Sequence, residues 1–341
     1  MSYKHLFFND YSEGAHPSIL AVLSENNSIQ QLGYGADAFT EEATSLIRER
    51  CDKPGAAVHL VSGGTQANLV VCAALLKPSE SVIAAATGHI CVHEIGAIES
   101  TGHKVHHVPH INGKIEPNEI LKVVKSHSSE HMVRPRIVFI SQATELGTVY
   151  TRDELARLSE VCRSSGLLLY VDGARLPAAL ASTATDLTLR DMAHLTDAFY
   201  IGGTKCGALF GEAIVVCSEG LAEDFRFHLK QRGALLAKGR FLGLQFRELL
   251  RDDLMIKLSR HAVEQAHKLA LGIEAAGYRL LCPVATNQIF PVLPDDTITR
   301  LQERFGFYIW ERLPNDYSAI RLVTSWATPP EAVDAFLSAL A

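Results

Sequence analysis

From about residue 40 the chain alternates two hydrophobic rhythms, stretches with helical spacing of apolar residues and short continuous apolar runs. The runs Ala57–Val61, Ser81–Ala85, Lys104–Val108, Ile137–Ser141, Leu167–Asp172, Ala198–Gly202 and Ala213–Cys217 read as buried strands. Thr40–Cys51, Gln66–Leu76, His93–Ser100, Pro117–Ser126 and Asp153–Ser164 read as helices, with Thr151 and Asp153 ahead of Glu154 as a start signal and Gly166 as a stop. Such alternation predicts a mostly parallel sheet covered by helices.

After Cys217 the rhythm changes. Leu221–Leu235 is helical, and Arg240 to His267 is helical but too long for one uninterrupted helix. Gly277–Cys282, Gln288–Val292 and Ile320–Val323 read as strands and Pro329–Leu340 as a terminal helix. The expected organisation is an N-terminal segment over 1–20, a large α/β domain with a seven-stranded sheet over 21–250, and a small C-terminal α+β domain over 251–341. A length of 341 residues suits two adjoining cores of unequal size.

Composition removes several classes of function. A hydrophobic share of 47% against 21% charged residues is that of a globular chain. The net charge is -6 and the basic residues are dispersed, so nucleic acid is not an expected partner. Apolar stretches such as Leu69 to Leu76 fall far short of the ~20 residues of a membrane helix, so no membrane association is expected. The opening residues hold no signal-peptide core, which leaves the cytoplasm as the expected location. Seven cysteines, odd in number and without a CxxC pair, are expected as reduced thiols.

Three segments carry candidate chemistry. The run Leu167 to Val171 ends in Asp172-Gly173-Ala174-Arg175, a carboxylate at the carboxyl end of a strand, where open α/β sheets bind their ligands. Taken alone, Asp172 could equally cap a helix or pair with Arg175. The run Ala198 to Ile201 leads into Gly202-Gly203-Thr204-Lys205, a lysine placed by glycines in a close turn instead of on a solvated helix face. An enclosed ammonium has its pKa lowered, which suits a Schiff-base lysine. Upstream, Val58 to Val61 runs into Ser62-Gly63-Gly64-Thr65-Gln66 and a helix start, a turn that aims backbone N–H groups and a hydroxyl at one point. The Walker lysine and the full GxGxxG spacing are absent. Together the three supply what pyridoxal 5′-phosphate requires: a phosphate cradle, a carboxylate for the pyridine nitrogen and an amine for the aldehyde.

With Tyr34-Gly35, Gly64-Thr65-Gln66-Ala67-Asn68, Gly88-His89, Asp172-Gly173-Ala174-Arg175, Lys205 and Arg321-Leu322-Val323-Thr324, the chain resembles the threonine aldolase and β-eliminating lyase family. That family is a branch of the fold-type I pyridoxal phosphate enzymes, and the resemblance spans essentially the whole length. It implies that Gly64 and Thr65 bind the cofactor phosphate, Asp172 pairs with the pyridinium, Lys205 forms the Schiff base and His89 stacks on the ring. Arg175 would serve the cofactor site and, with Arg321, the substrate carboxylate. His131 would stand near the substrate side chain and share catalysis with Lys205 and His89. The implied assembly is a homodimer or homotetramer with sites at the subunit interface, and one of Arg226, Lys230, Arg232 and Lys238 would reach a neighbour's phosphate.

His89 and His93 are four apart, as on one helix face, but HExxH is absent and no cysteine pair completes a zinc site, so no metal is expected. His93, His103, His106, His107 and His110 read as surface or strand residues. Where typical family members have Ser-Asp-Thr near the N-terminus this chain has Asn9-Asp10-Tyr11, and Asn9 is the expected hydrogen-bond donor to the substrate carboxylate. Threonine in place of serine before Lys205, Gly63 before the phosphate glycine and Gln142-Ala143-Thr144-Glu145 also depart from the pattern. The expected reaction is retro-aldol cleavage of a β-hydroxy-α-amino acid to glycine and an aldehyde, by an aldehyde-lyase acting on L-threonine or L-allo-threonine. A β-eliminating lyase or other pyridoxal phosphate enzyme on a different amino acid stands as the alternative, and a catalytically silent cofactor-binding protein as a third reading.

Overall fold

The computed structural model describes residues 3–218 and 220–340. The first two residues of the expected N-terminal segment and the last residue of the expected small domain lie outside that range. Seven strands form the main sheet: β1 (Ala57–Val61), β2 (Glu80–Ala85), β3 (Val105–Val108), β4 (Arg134–Ser141), β5 (Leu168–Asp172), β6 (Ala198–Gly202) and β7 (Glu212–Val216). Their order across the sheet is β1-β7-β6-β5-β4-β2-β3. β7 runs antiparallel to both β1 and β6, while the other neighbours pair in parallel.

Register brings the chemistry-bearing ends to one edge. Ser141 pairs with Asp172 across β4 and β5, Gly202 with Glu212 across β6 and β7, and Val61 with Glu212 across β1 and β7. The period of two in a strand decides which face each residue meets. Leu169 and Val171 enter one core, and Leu168 and Tyr170 enter the other. Asp172 therefore continues the Leu168–Tyr170 face, beneath helix α1 (Gly64–Leu75), whose Ala67, Val70 and Val71 fill the same core. Each fully buried aliphatic side chain there contributes roughly 1.5–3 kcal/mol, which is why the central runs 168–171 and 198–201 carry no charged residue before their ends.

The expected helix over His93–Ser100 is displaced. One turn, α2 (His89–Val92), precedes it, and then Ile95 (φ 47°) and Gly96 (φ 75°) turn left-handed and break the path. Farther along, α3 (Arg240–Leu250) and α4 (Leu254–Ala275) are separated by a short turn in which Asp252 (φ 50°) and Asp253 (φ 56°) are left-handed, the interruption that the length of the helical pattern demanded. Helix Arg152–Ser164 opens with a reciprocal capping box between Thr151 and Glu154.

The smaller sheet comprises β8 (Val292–Pro294), β9 (Tyr308–Leu313) and β10 (Tyr317–Val323), antiparallel in the order β8-β10-β9, with Gln288–Ile289 against the end of β10. β9 went unexpected because it is a half-exposed strand with mixed polarity and no apolar alternation. Gly277–Cys282 contributes only an isolated bridge, Leu280 to Pro291. The N-terminal segment belongs to this sheet's core: His5–Leu6 pairs with Phe305–Gly306, and Phe7 is fully buried among Phe305, Phe307 and Phe336. Among the described residues no helix is long and apolar enough to cross a membrane.

Candidate active site

Between the carboxyl edge of the main sheet and the smaller sheet lies a cavity of ≈ 510 Å³ on which Lys205, His89, His93, Glu145, Arg175 and Arg321 open. Tyr308 and Trp310 of β9 and Gln288 complete its far wall.

Asp172 is buried and held from three sides. Tyr200 donates its hydroxyl to Oδ1 at 2.6 Å, the Ala174 N–H donates to the same oxygen at 3.0 Å, and Asn68 Nδ2 donates to Oδ2 at 3.0 Å. The Asn68 amide also donates to Glu94 Oε1 at 2.7 Å and accepts from the Tyr170 hydroxyl at 2.8 Å, so one side chain joins α1, β5 and the loop after α2. Glu94 Oε1 in turn lies 2.7 Å from His89 Nδ1. Burial disfavours a charged His89 imidazole, but the Glu94 hydrogen bond and the Asp172 and Glu94 charges outweigh it and raise its pKa. Ligand-type atoms of His89, Glu94 and Asp172 lie within 4.8 Å of one another, and the Asn68 amide donates to both carboxylates of the group.

Glycine is required at two places here. A Cβ on Gly64 would come 2.8 Å from the Tyr200 hydroxyl that holds Asp172, and a Cβ on Gly173 would come 1.6 Å from the Tyr200 carbonyl oxygen. The backbones of β5 and β6 thus approach closely because residue 173 has no side chain.

Lys205 sits in the tight turn Thr204–Cys206 after β6, with Nζ 5.9 Å from the centre of the Tyr11 ring. Burial, and then the Arg175 charge, lower its ammonium pKa against the pull of Asp10, Glu212 and Asp172. Glu212 is buried next to the same turn and accepts from the Gly203 N–H at 2.9 Å; burial pushes its carboxyl up to about 7. Glu145, between β4 and the cavity, accepts from the His89 N–H at 2.8 Å and the Ser141 hydroxyl at 2.7 Å, and burial raises its pKa too.

At the amino end of α1 the first carbonyl-bonded amide is Ala67, donating to Gly63. The amides of Gly64, Thr65 and Gln66 therefore have no helix carbonyl to meet, and the exposed Thr65 hydroxyl stands among them. Gln66 folds back so that its Oε1 accepts from the Ser62 N–H and hydroxyl at 3.1 and 2.8 Å, which closes the loop without covering those amides. This donor set suits a phosphate.

The two arginines are anchored differently. Arg175 donates Nε and Nη2 to the buried Asp10 at 2.8 and 3.0 Å, and Asn287 Nδ2 donates to the same carboxylate at 2.9 Å. Arg321, from β10, donates Nη2 and Nε to Gln288 Oε1 at 2.8 and 3.2 Å. Burial and the neighbouring Arg175 charge hold the Arg321 pKa down to about 10, the mark of a cation lacking an anionic partner.

A model of the beta-eliminating lyase family matches residues 27–295. The chain belongs to this family. It is 34% identical over 333 residues to the low specificity L-threonine aldolase of Pseudomonas aeruginosa, covering 96% of this chain and 94% of that protein. With the low specificity L-threonine aldolase of Saccharomyces cerevisiae it shares 27% identity over 268 residues, 77% of this chain and 67% of that one. The solved structure of Leishmania major threonine aldolase superposes with a TM-score of 0.97 at 46% identity, covering 98% of each chain. The beta-eliminating lyase family member described here is accordingly a pyridoxal phosphate-dependent aldehyde-lyase of threonine aldolase type. Its residues fit the cofactor: a helix start with open amides, a buried carboxylate at a strand end and an enclosed lysine of lowered pKa lie along one edge of the main sheet.

The structure gathers Lys205, His89, Arg175 and Arg321 on the cavity and puts Asp172, Gly64 and Thr65 along the same edge. Two expected residues fall elsewhere. Asn9 Oδ1 accepts from the Tyr11 N–H and the Ser12 hydroxyl, both at 3.0 Å, because a short amide readily closes a turn on its own backbone, and Asp10 goes inward instead. His131 is exposed in the loop entering β4 at its amino end, and the eight residues of β4 span roughly 26 Å, so within one subunit it does not reach the cavity. Asp10, Asn68, Glu94, Glu145, Tyr200 and His93 are site residues to which sequence reasoning gave no role, although Asp10, Asn68 and Glu145 stand in the segments compared with the family pattern and His93 has helical spacing from His89.

Proposed function

We propose that the chain cleaves a β-hydroxy-α-amino acid of L-threonine or L-allo-threonine type into glycine and an aldehyde. The observation carrying this reading is the convergence of an enclosed lysine and two arginines on one cavity beside the Asp172 network. Pyridoxal phosphate bound here supplies a sink for the electron pair left on Cα when the Cα–Cβ bond breaks. Lys205, its ammonium pKa lowered, is the amine that would hold the cofactor's aldehyde, and Asp172 would keep a proton on the pyridine nitrogen. Gly64 and Thr65 would bind the phosphate and His89 would lie against the ring. Arg321 would grip the substrate carboxylate with its fork, while Arg175, two of its donor groups committed to Asp10, has Nη1 left for the same task.

The same reading includes the division into 1–20, 21–250 and 251–341, supported by the left-handed Asp252 and Asp253 at the junction of two helices. It also includes a homodimer or homotetramer with the site near the subunit boundary. Exposed Val92 and Ile95, beside the cavity's histidines, and exposed Leu32 support it, since such apolar residues are suited to burial by a second copy. Seven free cysteines support a cytoplasmic location.

Coupling aldehyde release from L-threonine and L-allo-threonine to alcohol dehydrogenase tests the reaction. Glycine and acetaldehyde in equal amounts support it. Keto acid and ammonia without glycine would transfer the assignment to β-elimination.

A further inference from the structure

We propose that His93 is the general base that takes the β-hydroxyl proton during cleavage, an inference that rests on the retro-aldol reading above. Two imidazoles open on the cavity, and the single turn α2 sets them side by side: the His93 N–H donates to the His89 carbonyl at 2.9 Å, and the rings stand 5.4 Å apart at 54°. Their surroundings give them opposite capacities. His89 Nδ1 is committed to Glu94 at 2.7 Å and its backbone N–H to Glu145, and against the effect of burial the Glu94 hydrogen bond shifts its pKa upward, so this ring is already engaged. The His93 ring has no hydrogen-bond partner among the described residues and is exposed at the cavity wall.

The groups that face His93 disfavour its protonation. Burial lowers its pKa from 6.5, and the His89, Arg321 and Arg175 charges lower it further against the opposing pull of Glu94. Glu145 after β4, Tyr11 of the N-terminal segment, Tyr308 of β9 and Lys205 complete the titratable ring around the same cavity. A neutral imidazole with a pKa somewhat below the working pH is suited to proton abstraction. In the step it performs, the β-hydroxyl proton passes to an imidazole nitrogen, the hydroxyl oxygen gains its second bond to Cβ, and the Cα–Cβ bond breaks. The electron pair of that bond stays with the fragment that becomes glycine, which takes up one proton, and His93 gives its proton back; substrate divides into glycine and aldehyde with no net oxidation.

His93→Phe and His93→Gln test the assignment in holoenzyme. Aldehyde release is expected to fall ~10²–10⁴-fold, and the acid limb of the kcat/KM profile to disappear. Exchange of the glycine α-proton, which has no β-hydroxyl to deprotonate, should persist within about threefold, and the cofactor absorbance should be retained. Independently of turnover, an imidazole NMR signal missing from His93→Gln apoprotein should titrate below 6.5 in the wild type. Variants that cleave at the wild-type rate with the acid limb intact overturn the role of His93 alone. A parallel loss of cleavage and glycine exchange also overturns it, since that would put His93 in a step common to both, as does a His93 signal titrating above 6.5. Wild-type enzyme that releases no aldehyde from any β-hydroxy amino acid overturns the retro-aldol reading and this role with it.

Discussion

Arg175 and Asp10 form a forked ion pair, Nε to Oδ2 at 2.8 Å and Nη2 to Oδ1 at 3.0 Å, joining the loop after β5 to the N-terminal segment. The carboxylate is 1% exposed and takes a third hydrogen bond from Asn287. Burial alone would raise the Asp10 pKa, but the Arg175 and Lys205 charges and the hydrogen bonds hold it below 3.8. Since the folded value is depressed, the stabilisation is present above the unfolded pKa and is lost as pH falls through the folded one. Asp10→Asn is expected to cost ~3–5 kcal/mol at neutral pH by leaving the guanidinium buried without its anion. Urea denaturation at pH 7 and below pH 3.8 measures it, and the gap between variant and wild type should narrow on acidification.

Replacing Lys205 by alanine should abolish covalent capture of the cofactor. Borohydride treatment followed by peptide mass mapping is expected to find the reduced cofactor on Lys205 in wild type and on no residue of Lys205→Ala. Recovery of the adduct on another lysine would move the site away from the turn after β6.

Tyr200→Phe removes the 2.6 Å hydrogen bond to Asp172 while keeping the ring in its core. A hydrogen bond to a charged group contributes ~1.5–3 kcal/mol, so cofactor affinity should fall roughly 10–100-fold. Titration of apoenzyme with pyridoxal phosphate, read by absorbance, gives the ratio directly. Gly64→Ala should act through the same bond, because its new methyl would displace that hydroxyl.

Glu212 carries a carboxyl raised to about 7 by burial. A raised carboxyl contributes its stability below the unfolded pKa and loses it as pH rises through the folded value, here from about 4.5 to about 7. Glu212→Gln keeps an acceptor for the Gly203 N–H and removes the titration. The variant should gain melting temperature relative to wild type at pH 8 and show little difference at pH 4.5, as followed by thermal unfolding of the apoprotein.

Arg321→Lys should raise the KM for threonine at least ~10-fold with a smaller change in kcat, because a point ammonium cannot keep the Gln288 bond and grip a carboxylate bidentately at once. Equal losses in kcat and kcat/KM would show that Arg321 acts in the transition state instead of in binding.

Much of the main sheet is legible in the sequence because burial on both faces of a parallel sheet leaves apolar runs, and glycines mark where β1, β5 and β6 stop. Gly64, Asp172 and Lys205 stand at those stops. The half-exposed β9 has no such run, and the displaced helix after His89 depended on a left-handed Ile95 that no propensity marks. Partners of buried carboxylates are hidden for another reason: Asp10 meets Arg175 across 165 positions and Asn68 meets Asp172 across 104. His93 shows its spacing from His89 but not that Glu94 ties up one ring and leaves the other free.

Local chemistry, then, sets the kind and order of the parts: a glycine-threonine turn at a helix start, a strand-end carboxylate, a lysine in a glycine turn and an arginine in the last strand. Each follows from residues adjacent in the chain, where backbone geometry and apolar period act directly. Which arginine is already paired, and which histidine and carboxyl pKa values rise or fall, were decided only by packing, because charge and desolvation act through space on groups that the chain order keeps far apart.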